Sequence, residues 1–286
     1  MPSALTGPTH SLSLPGQREG KVGWGREVAA IDPSRVSFSP GFSPRFPPLG
    51  AQEGLLRLGV PALDDALQGG LARGALHELS PASELQLGSA FGFGLAIAAL
   101  AATGGRQVLC IQTDYAALAA GAPYGLGLDL LGLSMDRLLI LRVAHPLDAL
   151  WAFEAALKCP ALAAVLTELP EAGAAADLTA TRRLSLAAQA GGGLGLLLRH
   201  RPCPLGSAAM TRWQVAAAPS QPDRFGGLGG LSFDLSLQRN RRGRCGRWIM
   251  GWNHDECTFV PQALSLGVAE TAGDRPDRAS PLRRTA

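Results

Sequence analysis

Lysine is almost absent from this 286-residue sequence, with Lys21 and Lys158 the only two. Arginine supplies nearly all of the other basic charge, and the formal net charge is only +3. Phosphate-binding loops of nucleotide hydrolases use a lysine to reach the terminal phosphates. Lys21 lies in the Pro/Ser/Gly-rich N-terminal segment and Lys158 at the end of a predicted helix, so neither can belong to such a loop.

Paired cysteine motifs are also missing. The five cysteines are scattered without CxxC spacing, which argues against a structural zinc site or a disulfide framework. We expect reduced thiols in a cytoplasmic protein and no metal site. The first residues lack the charged-then-apolar order of a signal peptide. No Ser/His/Asp triad, paired-carboxylate set or nucleophile elbow is recognisable, so the sequence offers no catalytic residues.

One long apolar run needs interpretation. Leu85–Ala102 approaches the minimum length of a membrane-spanning helix. Gln86 and Ser89 interrupt it, small residues dominate it, and strand patterns precede and follow it. A helix buried on the face of a parallel sheet has the same composition. We favour the buried helix and expect no membrane partner.

The two ends of the chain read differently from its centre. Residues 1–53 are rich in proline, serine and glycine, and the stretch Phe38–Pro48 can hold neither a helix nor an inner strand. We predict a disordered leader there, for which an over-long gene model is an alternative explanation. A polar tail, residues 266–286, is also predicted to be disordered. The predicted folded domain is 54–265.

Within that domain, strand-type runs alternate with helical patterns. The predicted strands are Ala75–Ser80, Gln107–Thr113, Arg137–Ala144, Leu162–Leu169 and Leu194–Arg199. The predicted helices between them are the apolar run, a piece around Tyr124–Leu133, Pro146–Lys158 and a helix capped by Asp177. This alternation predicts the α/β class, with a mainly parallel sheet flanked by helices.

After residue 200 the apolar pattern changes to period two. The runs Thr211–Ala218, Leu231–Asn240, Arg247–Trp252 and Glu256–Val260 predict a C-terminal antiparallel β extension. Three tryptophans are predicted to lie in the core: Trp151, Trp213 and Trp252.

A parallel sheet with such an extension resembles the RecA-like core, and four phrases resemble the ImuA family of alphaproteobacterial type. They are GGLARGALHEL, DLTATRRLSLAA, SAAMTRWQVAAAPS and LQRNRRGRCGRWIMGW. The resemblance covers roughly residues 54–260. It implies a RecA-like or SulA-like accessory protein of DNA damage-induced mutagenesis, acting in the SOS response. The implied partners are ImuB, the error-prone polymerase associated with it, and the RecA recombinase.

The nucleotide-phosphate loop of RecA-like proteins is not recognisable here. The loop GxxxxGK[ST] would stand between the first core strand and its helix, where this sequence has Ser80–Ser89, SPASELQLGS. Leu87 occupies the lysine position and Gly88 the hydroxyl position, while Pro81 stands at the first glycine position and Glu84 adds a negative charge inside the loop. We interpret this as a degenerate Walker A motif and predict no nucleotide cofactor.

Two acids stand where the resemblance implies functional ones. Asp114 matches the place of a water-activating glutamate, and Glu168 matches the place of a magnesium-holding acid. They represent either residual metal or nucleotide binding or polar residues at the ends of strands. Because the lysine and the hydroxyl are missing, we favour the second explanation and regard Leu87, Gly88, Asp114 and Glu168 as vestigial positions.

The C-terminal third is basic, and its arginines cluster at one predicted hairpin. Candidates for binding DNA or a partner are Arg239, Arg241, Arg242, Arg244, Arg247 and Trp248. Arginines beside an aromatic ring can hold phosphates and stack on bases of single-stranded DNA. A solvated turn whose charges protect a sheet edge would have the same sequence. The resemblance favours DNA or a DNA-bound partner.

Three functional hypotheses follow. The leading one is a non-catalytic accessory protein of SOS-induced, error-prone translesion DNA synthesis, which binds ImuB and also the recombinase or DNA. The second is a degenerate RecA-like ATPase or ATP sensor. The third is a SulA-like inhibitor of cell division.

Overall fold

A computed structural model describes residues 54–102, 104–170, 176–202, 206–220, 227 and 229–262. The predicted leader and tail lie outside these residues.

Nine strands form one sheet at the centre of the described region. They are β3 (Ala75–Pro81), β4 (Gln107–Thr113), β5 (Leu138–Val143), β6 (Leu162–Leu169), β7 (Leu194–Arg199), β8 (Thr211–Ala217), β9 (Ser232–Asn240), β10 (Gly246–Asn253) and β11 (Thr258–Pro261). Their order is β11-β10-β9-β8-β3-β7-β6-β4-β5. Pairing is parallel from β8 to β5 and antiparallel from β8 to β11. The predicted α/β class and its antiparallel extension are confirmed.

Helices cover both faces of the parallel part. They are α1 (Pro61–Ala66), α2 (Leu87–Ala101), α3 (Asp114–Ala120), α4 (Gly125–Leu130), α5 (Pro146–Leu157) and α6 (Leu178–Gly191). The side chains of α2 share one hydrophobic cluster with Leu79 and Leu198, whereas those of α5 and α6 share another with Leu76 and Leu197. Because alternate residues of a strand face opposite ways, the two clusters lie on opposite faces of the sheet.

A short two-stranded ribbon leads into the sheet. Its strands are β1 (Leu55–Leu56) and β2 (Leu71–Ala72), which pair antiparallel. The turn before β2 contains Gly70 at φ 135°, and a Cβ there would lie 2.3 Å from the Leu56 carbonyl oxygen. Only glycine fits this position.

Helix α2 is the apolar run discussed above. By length and composition, Glu84–Ala101 could cross a membrane. In the structure α2 instead packs on β3, β6, β7 and β8, and Phe93 and Ile97 are fully buried. A Cβ on Gly94 would lie 3.0 Å from a Leu79 methyl group, so the helix approaches the sheet closely. The buried-helix interpretation is confirmed.

One of the three core tryptophans was predicted wrongly. Trp213 and Trp252 are buried, but Trp151 is 63% exposed. Helix α5 contacts the sheet through Leu150 and Phe153. Trp151 lies about 100° around the helix from Leu150, which turns it away from the sheet. The apolar face of α5 is therefore wider than the part that the sheet covers.

Candidate functional site

The segment interpreted from the sequence as a degenerate phosphate loop lies between β3 and α2. It forms a single 3₁₀ turn, Glu84–Gln86, and α2 begins at Leu87. The backbone N–H of Ala217 donates to Gln86 Oε1 over 2.8 Å, which holds the turn against β8. Glu84 forms an exposed ion pair with Arg201. The side chains of Gln86 and Glu84 thus tie this turn to β8 and to Arg201, and the turn itself contains neither glycine nor lysine.

A pocket of about 250 Å³ opens beside the first turn of α2. Most of its lining is apolar, and two buried polar side chains also contribute to it. The lining residues that matter here are Leu87, Gly88, Phe91, Tyr124, Gln112 and Glu168. Neither lysine nor arginine is among the described residues around it. Leu87, Gly88 and Glu168, which we predicted to be vestigial positions, therefore meet at one place.

Glu168 is the only carboxylate among the described residues that line this pocket, and it is 1% exposed. Its Oε2 accepts a hydrogen bond from Gln112 Nε2 over 2.8 Å, and its Oε1 lies 2.8 Å from His200 Nε2. Gln112 and Glu168 are register partners on β4 and β6. The Oε1 of Gln112 has no hydrogen-bond partner among the described residues. Gln112 and His200 were not predicted from the sequence.

Asp114 lies apart from this group. It is the first residue of α3, its side chain is exposed, and it does not line the pocket. The N-cap of α3 is Thr113, whose Oγ1 accepts from the backbone N–H of Ala116. The structure therefore does not unite the two acids that the resemblance singled out.

Cys110, on the same strand as Gln112, is a buried core residue. Burial, followed by the charge of Glu168, raises the pKa of the Cys110 thiol to about 12. Cys110 is thus a protonated core residue at neutral pH, since only a thiolate is a good nucleophile or metal ligand. No group of three or more His, Cys, Asp or Glu that could hold a metal occurs among the residues with described positions.

A second buried carboxylate, Glu78, lies on the opposite face of the sheet. Its Oε1 accepts from Arg199 Nη2 over 2.8 Å and from Ser207 Oγ over 2.7 Å, and its Oε2 accepts from Arg212 Nε over 3.0 Å. Burial raises its pKa, but the charge and hydrogen bonds of Arg199, with Ser207 and Arg212, outweigh this and bring the pKa below its usual value. Sequence reasoning missed this network.

The network connects to the arginine-rich hairpin between β9 and β10. The carbonyl oxygen of Ser207 accepts from Arg239 Nη1 and from Arg241 Nη2, each over 3.0 Å. These two guanidinium groups therefore fix the segment before β8. Arg242 and Arg244 make no side-chain hydrogen bond or ion pair to a described residue.

The last two hairpin candidates have other contacts. Arg247 forms an ion pair with Asp234 on the neighbouring strand. Trp248 is half-buried and packs against the core. The hairpin thus leaves two of its five arginines, Arg242 and Arg244, uncommitted.

Comparison with known proteins identifies the fold and the family of this chain. A crystal structure of the RadB recombinase superposes with a TM-score of 0.51 at 15% sequence identity, covering 73% of this chain and 100% of that one. The chain is therefore an α/β protein of the RecA-like fold. No protein-family profile matches the sequence. Protein ImuA of Caulobacter vibrioides, from strains NA1000 and ATCC 19089, is 34% identical over 212 residues, 68% of this chain and 82% of the relative. The chain belongs to the ImuA family.

Proposed function

We propose that this chain is a non-catalytic, cytoplasmic accessory protein of SOS-induced, error-prone translesion DNA synthesis. One observation carries the proposal: the pocket at the end of β3 offers apolar walls and a carboxylate where a nucleotide-binding protein needs a cation. The protein would act by contact, through ImuB, the error-prone polymerase associated with it, and the recombinase.

The energetics support the absence of ATP turnover. Each charge-assisted hydrogen bond to a phosphate contributes about 1.5–3 kcal/mol. Leu87 and Gly88 supply no side-chain donor, and Glu168 would repel a triphosphate. The lysine of the described region, Lys158, lies at the end of α5 and pairs with Glu154 over 3.1 Å.

The arginine-rich hairpin supports single-stranded DNA as a further ligand. Arg242 and Arg244, in the turn between β9 and β10, carry charge that no described side chain neutralises. Phosphates attract such groups without regard to base sequence. Trp248 contributes less than expected from the sequence, because its packing against the core leaves less of the ring for a base to stack on.

The DNA contact is tested with the double variant Arg242→Ala/Arg244→Ala. We expect single-stranded DNA binding, followed by fluorescence anisotropy, to weaken, and the slope of log K against log salt to fall by about 1.4. The matched control is Arg142→Ala/Arg182→Ala, which removes two exposed arginines outside the hairpin. An equal loss in the control would contradict a hairpin site.

Partner binding is tested by pulling down purified ImuB with the wild-type chain and with both double variants. Capture of ImuB by the wild type supports the accessory role, and a loss confined to the hairpin variant places the contact there. If neither ImuB nor DNA is retained by wild-type protein, the proposal fails.

The alternative of a degenerate ATPase or ATP sensor has its own test. Glu168, at a strand end beside the pocket, is the observation in its favour. Saturable ATP hydrolysis by purified protein, abolished by Glu168→Gln, would establish it and exclude the non-catalytic proposal. We expect no hydrolysis above a no-protein control.

A further inference from the structure

The pocket beside α2 contains an unused hydrogen-bond acceptor. Gln112 is 1% exposed, and its Nε2 is committed to Glu168, which fixes the orientation of the amide. Its Oε1 is left without a partner among the described residues. A buried acceptor in this state gains from any donor that reaches it, because water no longer satisfies it.

The charge of the pocket has the sign opposite to that of a phosphate site. Glu168 is nearly inaccessible to solvent, and the described lining contains no basic side chain to neutralise it. Its contacts are the amide of Gln112 and the imidazole of His200. A carboxylate shielded from water favours a cation with N–H donors.

The size and the apolar walls of the pocket restrict the range of possible ligands further. About 250 Å³ is just below the roughly 300–1,000 Å³ of ordinary small-molecule sites. Phe91 and Leu95 supply apolar walls, which suit the methylene stem of a long basic side chain. Tyr124, which lines the pocket, is 70% exposed, and Leu126, in the first turn of α4, is 64% exposed. Such a surface is typical of a protein interface.

We infer that this pocket binds a lysine or arginine side chain of a partner protein, with its stem against the apolar walls and its charged head at Gln112 and Glu168. The site of a RecA-like nucleotide phosphate has thus become an anchor for a cation. The choice of a protein as the source of that side chain rests on the proposed function. The preference of the pocket for a cation does not depend on the proposed function.

The probe is n-butylammonium, compared with 1-butanol and butyrate at equal ionic strength. Binding is followed by ¹H–¹⁵N spectra at the side-chain amide of Gln112 and the backbone amides of Gly121 and Gly127, which line the pocket. We expect saturable shifts with butylammonium, binding about tenfold weaker with butanol, and none with butyrate. Equal binding of the amine and the alcohol would overturn the inference. Binding of Mg²⁺ to the pocket with higher affinity than butylammonium would also overturn it.

Two variants distinguish the contribution of the Glu168 charge to binding from the contribution of the shape of the pocket. Glu168→Gln should bring butylammonium down to the affinity of butanol. Gly127→Leu should abolish binding of both, because a Cβ at Gly127 meets no atom within 4 Å and the larger side chain can fill the pocket. Ala155→Leu, at an exposed position of α5, is the matched control and should bind normally. Undiminished binding by Gly127→Leu would show that the probe binds elsewhere.

The outcome is separable from that of the proposed function. Butylammonium binding without any ImuB or DNA binding would remove the accessory role and leave the pocket assignment. Retention of ImuB without butylammonium binding would do the reverse.

Discussion

Two buried glutamates on opposite faces of the same sheet differ in what surrounds them. Glu78 on β3 and Glu168 on β6 are each 1% exposed. Glu78 receives hydrogen bonds from two arginines and a serine. Among the described residues, Glu168 has hydrogen-bond contacts with one amide and one imidazole, beside a pocket.

The difference distinguishes a carboxylate whose charge is already paired within the fold from one whose charge can attract a ligand. A buried carboxylate with its cations in place contributes to a fixed geometry, and here that geometry holds Ser207 and through it Arg239 and Arg241. A buried carboxylate without a permanent cation retains attraction for one from outside. We therefore assign stability to the Glu78 network and recognition to the Glu168 pocket.

The largest expected effect is that of Glu78→Gln on stability. Removing this carboxylate takes one negative charge away from the guanidinium groups of Arg199, which is 3% exposed, and Arg212. Breaking one partner of a buried pair typically costs about 3–5 kcal/mol. We expect a loss of that size in the free energy of unfolding, measured by urea denaturation.

Its control is Glu154→Gln. Glu154 pairs with Lys158 and Arg183 at the surface, so the same chemical change should cost no more than about 1 kcal/mol. Equal losses in the two variants would mean that burial does not distinguish these ion pairs.

The second prediction concerns pH. Because the pKa of Glu78 is lower in the folded protein than its usual 4.5, its contribution is complete above that value and is lost as the pH falls through the folded pKa. The gap in unfolding free energy between wild type and Glu78→Gln should therefore shrink below about pH 4.5. Burial lowers the pKa of His77 to about 4, but both proteins share that residue and its effect cancels.

Urea titrations of both proteins at steps between pH 3 and 6 measure this gap. A gap that stays constant across the range would show that the charge of Glu78 is not what the arginines require.

The fold was predictable to the extent that it depends on local pattern. The bounds of β6 and β7 match the sequence prediction to the residue, because strands buried on both faces appear as unbroken apolar runs. Asp177 caps α6 as expected, accepting from the backbone N–H of Ala180. Trp151 shows the limit: periodicity identifies an apolar face but not how much of it the sheet covers.

The candidate site was predictable only in part, because its contacts are non-local. Glu168 was identified because the resemblance implies a functional acid near the end of this buried strand. Gln112 was not, because its bond to Glu168 depends on the register between β4 and β6 across 56 residues. The same holds for Glu78 and Arg212, which are separated by 134 residues. An acid inside the run ALHELS was the one sequence signal, and it did not identify its partners.

The smallest expected effect on stability is that of the corresponding substitution at Glu168. Glu168→Gln should change the free energy of unfolding by less than about 1 kcal/mol. The new amide can accept from Gln112 Nε2 through its oxygen and donate to His200 Nε2 in the tautomer that carries its proton on Nδ1. No buried cation loses its partner, in contrast to Glu78→Gln. Urea denaturation of the two variants under one set of conditions gives the answer. A loss for Glu168→Gln as large as that for Glu78→Gln would mean that the charge of Glu168 also stabilises the fold. That charge would then already be paired within the protein and would not attract a ligand.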